Sequence, residues 1–282
     1  MKTIASINFK GGAGKTTVTW LLAKYISEKL GKKTLVVDID AQMSLTLAIQ
    51  EEKWSAINNK FTDSSNDNHK TLLKVIELYE KNKGEQLNIS LNSLIYKLND
   101  NLHLIPSTID LYWFEYDITD MEKVTHFVNA FLHKMENNSS FNYEYVLFDC
   151  PPYFNALSYS VLSCANMVLI PVNPDSLAKY GIQQFILGLN QRLKPIPTPN
   201  ISVFLNKAKT ISENHLSQDS KNYLIEIKKV KNNLEKSGIK IEVLDSFIPD
   251  CKDMKSALPS TNLHCEYEEY LKNIWVSLGK TI

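Results

Sequence analysis

The stretch INFKGGAGKTT, residues 7 to 17, constrains the fold more than any other part of the sequence. An apolar strand pattern over 3–9 runs directly into the glycines, and the apolar spacing of a helix begins at Lys15. A glycine-rich loop between a strand and a helix is the setting of a phosphate-binding loop, because its backbone N–H groups can surround phosphate oxygens. The stretch therefore predicts an α/β fold with a phosphate-bearing ligand at one edge of the sheet.

Two side chains after the glycines have the chemistry that a nucleotide requires. Lys15 is expected to reach the terminal phosphates, and Thr16 is expected to offer its hydroxyl to Mg²⁺. The alternative, a glycine turn with an incidental lysine, does not explain why strand, loop and helix follow in this order. A second lysine, Lys10, stands before the glycines, where most P-loop kinases and GTPases lack one.

Short apolar runs alternate with amphipathic stretches along the chain, which is typical of a mostly parallel twisted sheet flanked by helices. Helices are predicted at 15–30, ended by Gly31, and at 183–193, 217–237 and 266–278. We expect one domain over 1–282, with a polar surface insertion at about 51–70. Seven strands are predicted, at 3–9, 34–37, 102–105, 145–148, 168–172, 201–205 and 243–248.

Composition narrows the classes of protein. The 31 basic and 31 acidic side chains cancel, so the net charge by itself calls for neither nucleic acid nor membrane. No apolar run approaches the length that spans a bilayer. Arg192 is the only arginine. The cysteines lack the spacing of a metal site and are expected to be reduced thiols of a cytosolic protein: Cys150, Cys164, Cys251 and Cys265.

Acidic residues follow two of the predicted strands. Asp38 and Asp40 come just after one strand, in TLVVDIDAQ, and Asp149 follows another, in YVLFDCPP. Ligands of open α/β sheets bind at the carboxyl ends of parallel strands, so these carboxylates are expected to face the nucleotide. Each could hold Mg²⁺ through water or orient the water that attacks the γ-phosphate. For any one of them, a turn or helix-capping role is the alternative.

The motifs together resemble the ParA/MinD family of ATPases. KGGAGKTT resembles that family's deviant Walker A box, VVDIDAQ its second acidic motif and YVLFDCPP its Walker B segment, although Ala41 stands where proline is common. The resemblance covers nearly the whole chain apart from 51–70 and parts of 210–240, and it implies a P-loop NTPase fold. Further matches follow in order: LHLIPSTIDL (102–111), VLIPVNPDSLAKYGIQQF (168–185), FLNK (204–207) and FIPDCKDMKSAL (247–258).

The resemblance implies a slow ATPase that requires Mg²⁺ and forms a homodimer with two ATP molecules between its subunits. Lys10 would reach the partner's nucleotide, Lys15 would hold phosphate, and Asp40 would position or activate water. Asn206, Pro249 and Asp250 match positions that contact adenine. The implied metal-supporting residues are Thr16, Asp38, Asp40 and Asp149, and the implied phosphate loop is Lys10, Gly11, Gly12, Ala13, Gly14, Lys15, Thr16 and Thr17.

Within the family, the sequence is most similar to short ParA-like partition ATPases. The last helix lacks the basic face of a membrane anchor. The sequence also lacks the pair of cysteines in glycine-rich loops that would hold an iron–sulfur cluster. The resemblance implies a cytoplasmic, nucleoid-associated protein that binds DNA without sequence preference and is stimulated by a ParB-like or adaptor partner. The alternative is a nucleotide-switched regulatory or assembly ATPase that never binds DNA. Candidate DNA contacts are Lys228, Lys229, Lys231, Lys252, Lys255 and Lys272.

Overall fold

The computed structural model describes residues 1–50, 71–81, 94–117, 121–175, 178–192, 199–212, 215–250 and 265–279. The predicted insertion at 51–70 lies outside them. The strands found among the described residues are β1 (Lys2–Ser6), β2 (Thr34–Asp38), β3 (Tyr96–Lys97), β4 (Leu102–Ile105), β5 (Tyr145–Asp149), β6 (Met167–Val172), β7 (Asn200–Ala208), β8 (Thr210–Ser212), β9 (His215–Leu216) and β10 (Glu242–Pro249).

Eight of these strands form one sheet in the order β10-β7-β6-β1-β5-β2-β4-β3. Every pairing in it is parallel except that of β3 with β4, so the predicted mostly parallel sheet is confirmed. The central strands β2 and β6 are buried along their whole length, as expected for apolar strands covered by helices on both faces. Register places Ser6, Asp149 and Asp38 side by side at the carboxyl ends of β1, β5 and β2.

Helices cover both faces of this sheet. They are α1 (Lys15–Lys24), α2 (Ser44–Gln50), α3 (Leu72–Lys81), α4 (Leu111–Asp117), α5 (Met121–Glu136), α6 (Ala156–Cys164), α7 (Ala178–Arg192), α8 (Gln218–Lys236) and α9 (Cys265–Leu278). One apolar core, which includes Ala5, joins the sheet to α5, α6, α7 and α8, and the other, which includes Ile4, joins it to α1 and α9.

The structure differs from the sequence-based prediction in several places. The first strand ends at Ser6 rather than at residue 9, because the chain leaves the sheet to form the glycine loop. The helix predicted over 15–30 is α-helical only to Lys24 and continues as a π-helical turn, Tyr25–Lys29, before Gly31 turns the chain with φ of 66°. The helix predicted at 183–193 begins earlier, at Ala178. No helix in the described part of the chain is long and apolar enough to cross a bilayer.

Candidate nucleotide-binding site

The glycine loop joins the carboxyl end of β1 to the first turn of α1. Gly12 and Gly14 have φ of 73° and 85°, in the left-handed region that glycine adopts without strain. A Cβ at residue 14 would also collide with the side-chain amide of Asn206, whereas residue 12 faces open space. The two glycines thus serve different needs, since only Gly14 combines a left-handed backbone with a close neighbour.

Three side chains from other strands hold the loop by its carbonyl groups. Asn206 Nδ2 donates to the carbonyl oxygen of Ala13 at 2.8 Å. Lys207 Nζ and Asn173 Nδ2 both donate to the carbonyl oxygen of Gly12, at 2.8 and 3.1 Å. These three bonds use only carbonyl groups of the loop, so they leave its N–H groups available to a ligand.

Lys15 lies at the buried end of the loop, with 8% of its surface exposed. Burial lowers the pKa of its ammonium group, and the nearby carboxylates of Asp149 and Asp40 act in the opposite direction. The carboxylates therefore favour the charged form of this lysine, and burial disfavours it. The position agrees with the predicted phosphate contact, because the ammonium group is held where a phosphate could replace part of its lost hydration.

Thr16 and Asp149 meet beside Lys15. The Thr16 hydroxyl hydrogen-bonds to the Asp149 carboxylate, and the other carboxylate oxygen, Oδ1, is buried without a partner among the described residues. Burial, and then the negative charge of Asp38, raise the pKa of Asp149 well above its usual range. A hydroxyl and an unsatisfied carboxylate oxygen are the donor set that Mg²⁺ uses next to a nucleotide, so these residues fit the ion.

Asp38 and Asp40 are held in a frame of hydrogen bonds. Asp38 accepts from the Asp40 N–H at 3.1 Å and from both the N–H and the hydroxyl of Thr46, at 2.8 and 2.7 Å. Ser107 donates its hydroxyl to the Asp40 carbonyl at 2.7 Å, and its N–H donates to the Thr46 hydroxyl at 2.9 Å. The frame fixes the backbone of Asp40 between β2, α2 and the end of β4.

The two carboxylates of this frame have different surroundings. Asp38 is fully buried, and burial raises its pKa to about 7 even though three hydrogen bonds lower it. Asp40 is 5% exposed, and burial raises its pKa against the effects of the Gln42 N–H and of Lys15. Asp38 therefore acts on the site mainly by positioning Asp40 and α2, because its oxygens are occupied by protein donors.

Lys10 faces away from this buried cluster. Its N–H donates to Asn8 Oδ1 at 2.9 Å, and Asn8 Nδ2 donates to the carbonyl of Pro171 at 2.8 Å, which ties the loop entrance to β6. The Lys10 ammonium group forms an ion pair with Asp175 Oδ2 at 2.5 Å. The two side chains are 39% and 41% exposed, so water screens the pair and its stabilisation is at most ~1 kcal/mol.

Sequence comparison places the chain in a known family. Residues 1–201 match a family described as AAA domain, which is more than half of the 282 residues. The putative replication protein A of Sinorhizobium fredii is 30% identical over 204 residues, which are 70% of this chain and 45% of that protein. The chromosome-partitioning ATPase Soj of Thermus thermophilus is 28% identical over 203 residues, 69% of this chain and 66% of Soj.

A solved structure agrees with these matches. The putative plasmid partition protein of Borrelia burgdorferi, determined with AMPPNP bound, superposes with a TM-score of 0.69 over 100% of this chain and 99% of its own, at 23% identity. The chain belongs to the ParA/MinD family of P-loop ATPases. It spans about half the length of the first curated relatives it matches, the replication proteins of Sinorhizobium and Rhizobium.

The residues expected to contact adenine in the ParA/MinD family lie at the ends of β7 and β10. Asn206 is 1% exposed, and its Oδ1 is buried with no partner in the described parts of the chain, while its Nδ2 holds the loop. Pro249 is buried, and the Asp250 N–H donates to the Ala208 carbonyl at 2.9 Å. Asn206 thus offers an unsatisfied acceptor beside the loop, which suits an exocyclic amino group.

The candidate DNA contacts are dispersed, and half of them already have acidic partners. Lys228 pairs with Asp245 and Lys229 with Glu226, both at 2.6 Å, and Lys231 lies 3.7 Å from Glu235. Lys272 is exposed on α9, whereas Lys252 and Lys255 lie outside the described residues. The three paired lysines of α8 present little net positive charge to a phosphate backbone.

Exposed apolar side chains gather at the carboxyl edge of the sheet. Of the nine large hydrophobic residues exposed in the described regions, six follow the ends of β1, β2, β4 or β5. Trp113 is the most exposed of these six, at 66%. Exposed apolar surface of this kind is typical of sites that bind a protein, a membrane or a ligand. The six residues are Phe9, Leu47, Ile109, Tyr112, Trp113 and Phe154.

Cys150 and Cys164 are free thiols. Cys150 directly follows Asp149 and is buried, and burial together with the Asp149 charge raises its pKa well above the usual range. Burial also raises the pKa of Cys164 to about 11. A thiol with a raised pKa stays protonated at neutral pH and is a poor nucleophile.

Proposed function

We propose that the chain binds ATP with Mg²⁺ at the glycine loop, forms a dimer with two nucleotides between facing subunits, and hydrolyses them slowly. The main support is the opposite placement of the two loop lysines. Lys15 is buried among carboxylates, where it can serve only its own subunit's nucleotide. Lys10 is exposed at the loop entrance and paired only weakly, so that a facing subunit could receive it.

The proposed chemistry assigns one task to each residue. Lys15 and the loop amides bind the phosphates, and Thr16 with Asp149 would hold Mg²⁺, which neutralises charge on phosphate oxygens when bound. Asp40 orients the attacking water or accepts its proton, since burial raises the pKa of its carboxyl towards the range of a useful base. Asp38 keeps Asp40 in place through the hydrogen bond to its N–H.

The proposed dimer has two sources of support besides Lys10. The exposed apolar residues lie at the same edge of the sheet as the loop, so a subunit that faces this edge would cover them together with the nucleotide. Phosphoryl transfer is commonly assisted by a cation supplied from outside the loop. Lys10 lies in the loop itself and is the first candidate for that task, while Arg192, the only arginine of the sequence, lines a cleft with Phe9 and Phe154 and is the second.

In the cell, the proposed task is the positioning of a plasmid, a chromosome or another cargo, as the names of the Soj and Borrelia proteins suggest. A ParB-like or adaptor protein would stimulate hydrolysis, and the ATP dimer would bind DNA through its backbone phosphates. The pairing of Lys228, Lys229 and Lys231 with acidic neighbours favours the second candidate, a nucleotide-switched assembly protein without DNA.

The assignment of binding and hydrolysis can be tested with two variants. Lys15→Ala should lower the affinity for ATP by at least about 100-fold, because it removes a buried charge-assisted contact of roughly 3 kcal/mol. Asp40→Ala should keep ATP binding within a few-fold and stop hydrolysis. Titration with a fluorescent ATP analogue and a phosphate-release assay measure the two quantities. Equal losses of ATP binding in both variants would contradict the assignment.

DNA binding separates the two candidate functions. If the dimer positions cargo on DNA, binding to a nonspecific duplex should require ATP rather than ADP and should fall steeply as salt rises, because only phosphate contacts are available. Fluorescence anisotropy between about 50 and 200 mM salt measures both dependences. Binding that is equal with ATP and ADP, or absent with both, would favour the assembly protein.

A further inference from the structure

A cleft of about 360 Å³ lies beside the Lys10–Asp175 pair, on the side away from the buried carboxylates. The end of β6, the chain after β7 and the first two turns of α8 form its walls. Nothing in the family resemblance assigns this cleft a task. The residues that decide its chemistry are Pro174, Asp175, Lys209, Asp219, Tyr223 and Glu226.

The charge of the lining favours a cation. Three carboxylates line it, those of Asp175, Asp219 and Glu226, together with the ammonium group of Lys209. Asp175 is paired with the exposed Lys10, and Glu226 with the exposed Lys229. The N-terminus of α8, which could attract an anion, is already capped, since Ser217 Oγ accepts from the Ser220 N–H at 3.3 Å. An entering cation therefore meets the Asp219 carboxylate, and it can compete with exposed lysines for Asp175 and Glu226.

The Tyr223 hydroxyl is the second observation that points to a ligand. Tyr223 is 8% exposed and lines the cleft, yet its hydroxyl is buried without a hydrogen-bond partner among the described residues. Asp175 lies close enough to this hydroxyl to raise its pKa further, after the larger effect of burial. A buried hydroxyl without a partner is costly, and a donor group entering the cleft would satisfy it.

The lining suits an organic cation better than a metal ion. In the ranges that the structure describes, no three His, Cys, Asp or Glu side chains converge closely enough to hold a metal. The Tyr223 ring and Pro174 provide apolar surface for an alkyl chain, while the carboxylates and the hydroxyl accept hydrogen bonds from a planar or tetrahedral nitrogen group. An ammonium or guanidinium group on an alkyl chain has both properties.

We propose that this cleft binds the guanidinium or ammonium group of an organic amine or of a basic side chain, and that its occupant competes with Lys10 for Asp175. Asp175 belongs to both the cleft and the ion pair, so a cation in the cleft weakens the hold on Lys10. The consequence for dimer formation rests on the proposed role of Lys10, whereas the binding itself does not. The occupied cleft thus favours the release of Lys10 towards a facing subunit.

Calorimetric titration of the nucleotide-free protein with agmatine, which carries both a guanidinium and an ammonium group, tests the binding. We expect saturable binding that Asp219→Asn and Tyr223→Phe each weaken at least threefold. Lys10→Ala should strengthen it at least threefold, because Asp175 loses its competing partner. The matched control is Asp100→Asn, which removes an exposed carboxylate at the β3–β4 turn and should leave affinity unchanged. Thermal melts establish that each variant is folded.

Two further probes distinguish the source of the cation. Spermidine represents free polyamines, and the peptide acetyl-Gly-Arg-Gly-amide represents a basic side chain of a partner protein. Tighter binding of the peptide than of agmatine and spermidine would assign the cleft to a protein partner, and the opposite order would assign it to small amines. Lack of saturable binding with all three probes, or equal affinity in wild type, Asp219→Asn and Tyr223→Phe, overturns the proposal.

The effect on Lys10 is measured separately in the hydrolysis-blocked Asp40→Ala background. Saturating agmatine should raise the ATP-dimer population there at least twofold, and it should have no effect when Asp175→Asn is added. Agmatine binding without any change in dimer population would overturn the competition for Lys10. Because the calorimetric titration contains no ATP, its result can be interpreted even if the protein does not form the proposed ATP dimer.

Discussion

Lys10 and Lys15 belong to one loop but lie in opposite surroundings. Lys15 is buried beside Asp40 and Asp149, whereas Lys10 is 39% exposed and shares its charge with one surface carboxylate. Charges interact more strongly where little water screens them, so the contacts of Lys15 are the more durable. The contrast teaches that one half of the loop is a fixed part of the site, and that the other half can change partners at little cost.

The two left-handed glycines of the loop, Gly12 and Gly14, also differ in how closely they are packed. Gly14, next to Lys15, leaves no room for a side chain because Asn206 packs against it, while Gly12 faces open space. The half of the loop that binds the subunit's own phosphates is therefore closely packed, and the half that precedes it is open. Substitutions in each half of the loop test this difference in packing.

Gly14→Ala should damage the site more than Gly12→Ala. Each substitution forces a left-handed alanine, which costs roughly 1–2 kcal/mol, and only Gly14→Ala adds the collision with Asn206, roughly 1–3 kcal/mol more. We expect ATP affinity to fall by about 100-fold or more for Gly14→Ala and by about tenfold for Gly12→Ala. Titration with a fluorescent ATP analogue compares them, and equal losses would show that the two halves of the loop are packed alike.

Lys10→Ala should bind ATP normally and fail to dimerise. In the Asp40→Ala background, where ATP is not consumed, the association constant of the dimer should fall at least about tenfold, which corresponds to about 1.4 kcal/mol. Light scattering in the presence of ATP measures the dimer, and nucleotide titration serves as the control for binding. A normal dimer population in the double variant would remove Lys10 from the subunit contact.

The buried carboxylates should make the stability of the nucleotide-free protein depend on pH. The pKa of Asp38 rises from 3.8 to about 7 on folding, so the folded chain keeps a proton that the unfolded chain loses. The free energy of unfolding should therefore decrease between pH 4 and pH 7, by about 1 kcal/mol from pH 5 to pH 6 for this group. Asp38→Asn should reduce that slope, and Glu269→Gln, an exposed carboxylate on α9, should not. Urea denaturation at a series of pH values measures the free energy of unfolding. Equal slopes against pH for the wild type, Asp38→Asn and Glu269→Gln would exclude Asp38 as the cause.

Asp175→Asn should have the smallest effect. It removes the partner of Lys10, and because an exposed ion pair contributes only about 0.2–1 kcal/mol, the ATP-dimer association constant should increase by about 1.4- to fivefold for each pair removed. The same light-scattering assay in the Asp40→Ala background measures it. An unchanged or reduced dimer population would mean that the pair with Asp175 does not restrain Lys10.

Residues of the site that lie on contiguous motifs could be predicted from the sequence. Lys15 and Thr16 follow glycines between a strand and a helix, and Asp149 ends an apolar strand, so local chemistry and strand position were sufficient. The structure places them together as expected. The same reasoning located the main strands, because each is a short apolar run buried on both faces of a parallel sheet.

Contacts between distant segments could not be predicted in this way. Asn206 touches the loop across 193 positions, and Lys10 meets Asp175 across 165. Asp175 lies within the quoted segment 168–185, but nothing in its local pattern identifies its partner. Thr46 and Ser107 are ordinary hydroxyl residues until the sheet order brings the chain after β2 next to the end of β4. Such pairings depend on tertiary packing, which a single sequence taken by itself does not reveal.

The frame around Asp40 also links the phosphate chemistry to the outer surface. Thr46, which bonds both Asp38 and Ser107, directly precedes Leu47, and Leu47 is 44% exposed on α2. A displacement of Asp40 would therefore move Leu47 at that surface. A protein that binds Leu47 would change the position of Asp40 in return, since such coupling is reciprocal. Thr46→Val, which removes the hydroxyl that joins Asp38 to Ser107, should remove this coupling. A fluorophore at residue 47 whose emission changes on ATP binding when Thr46 is present should then no longer respond, although ATP still binds.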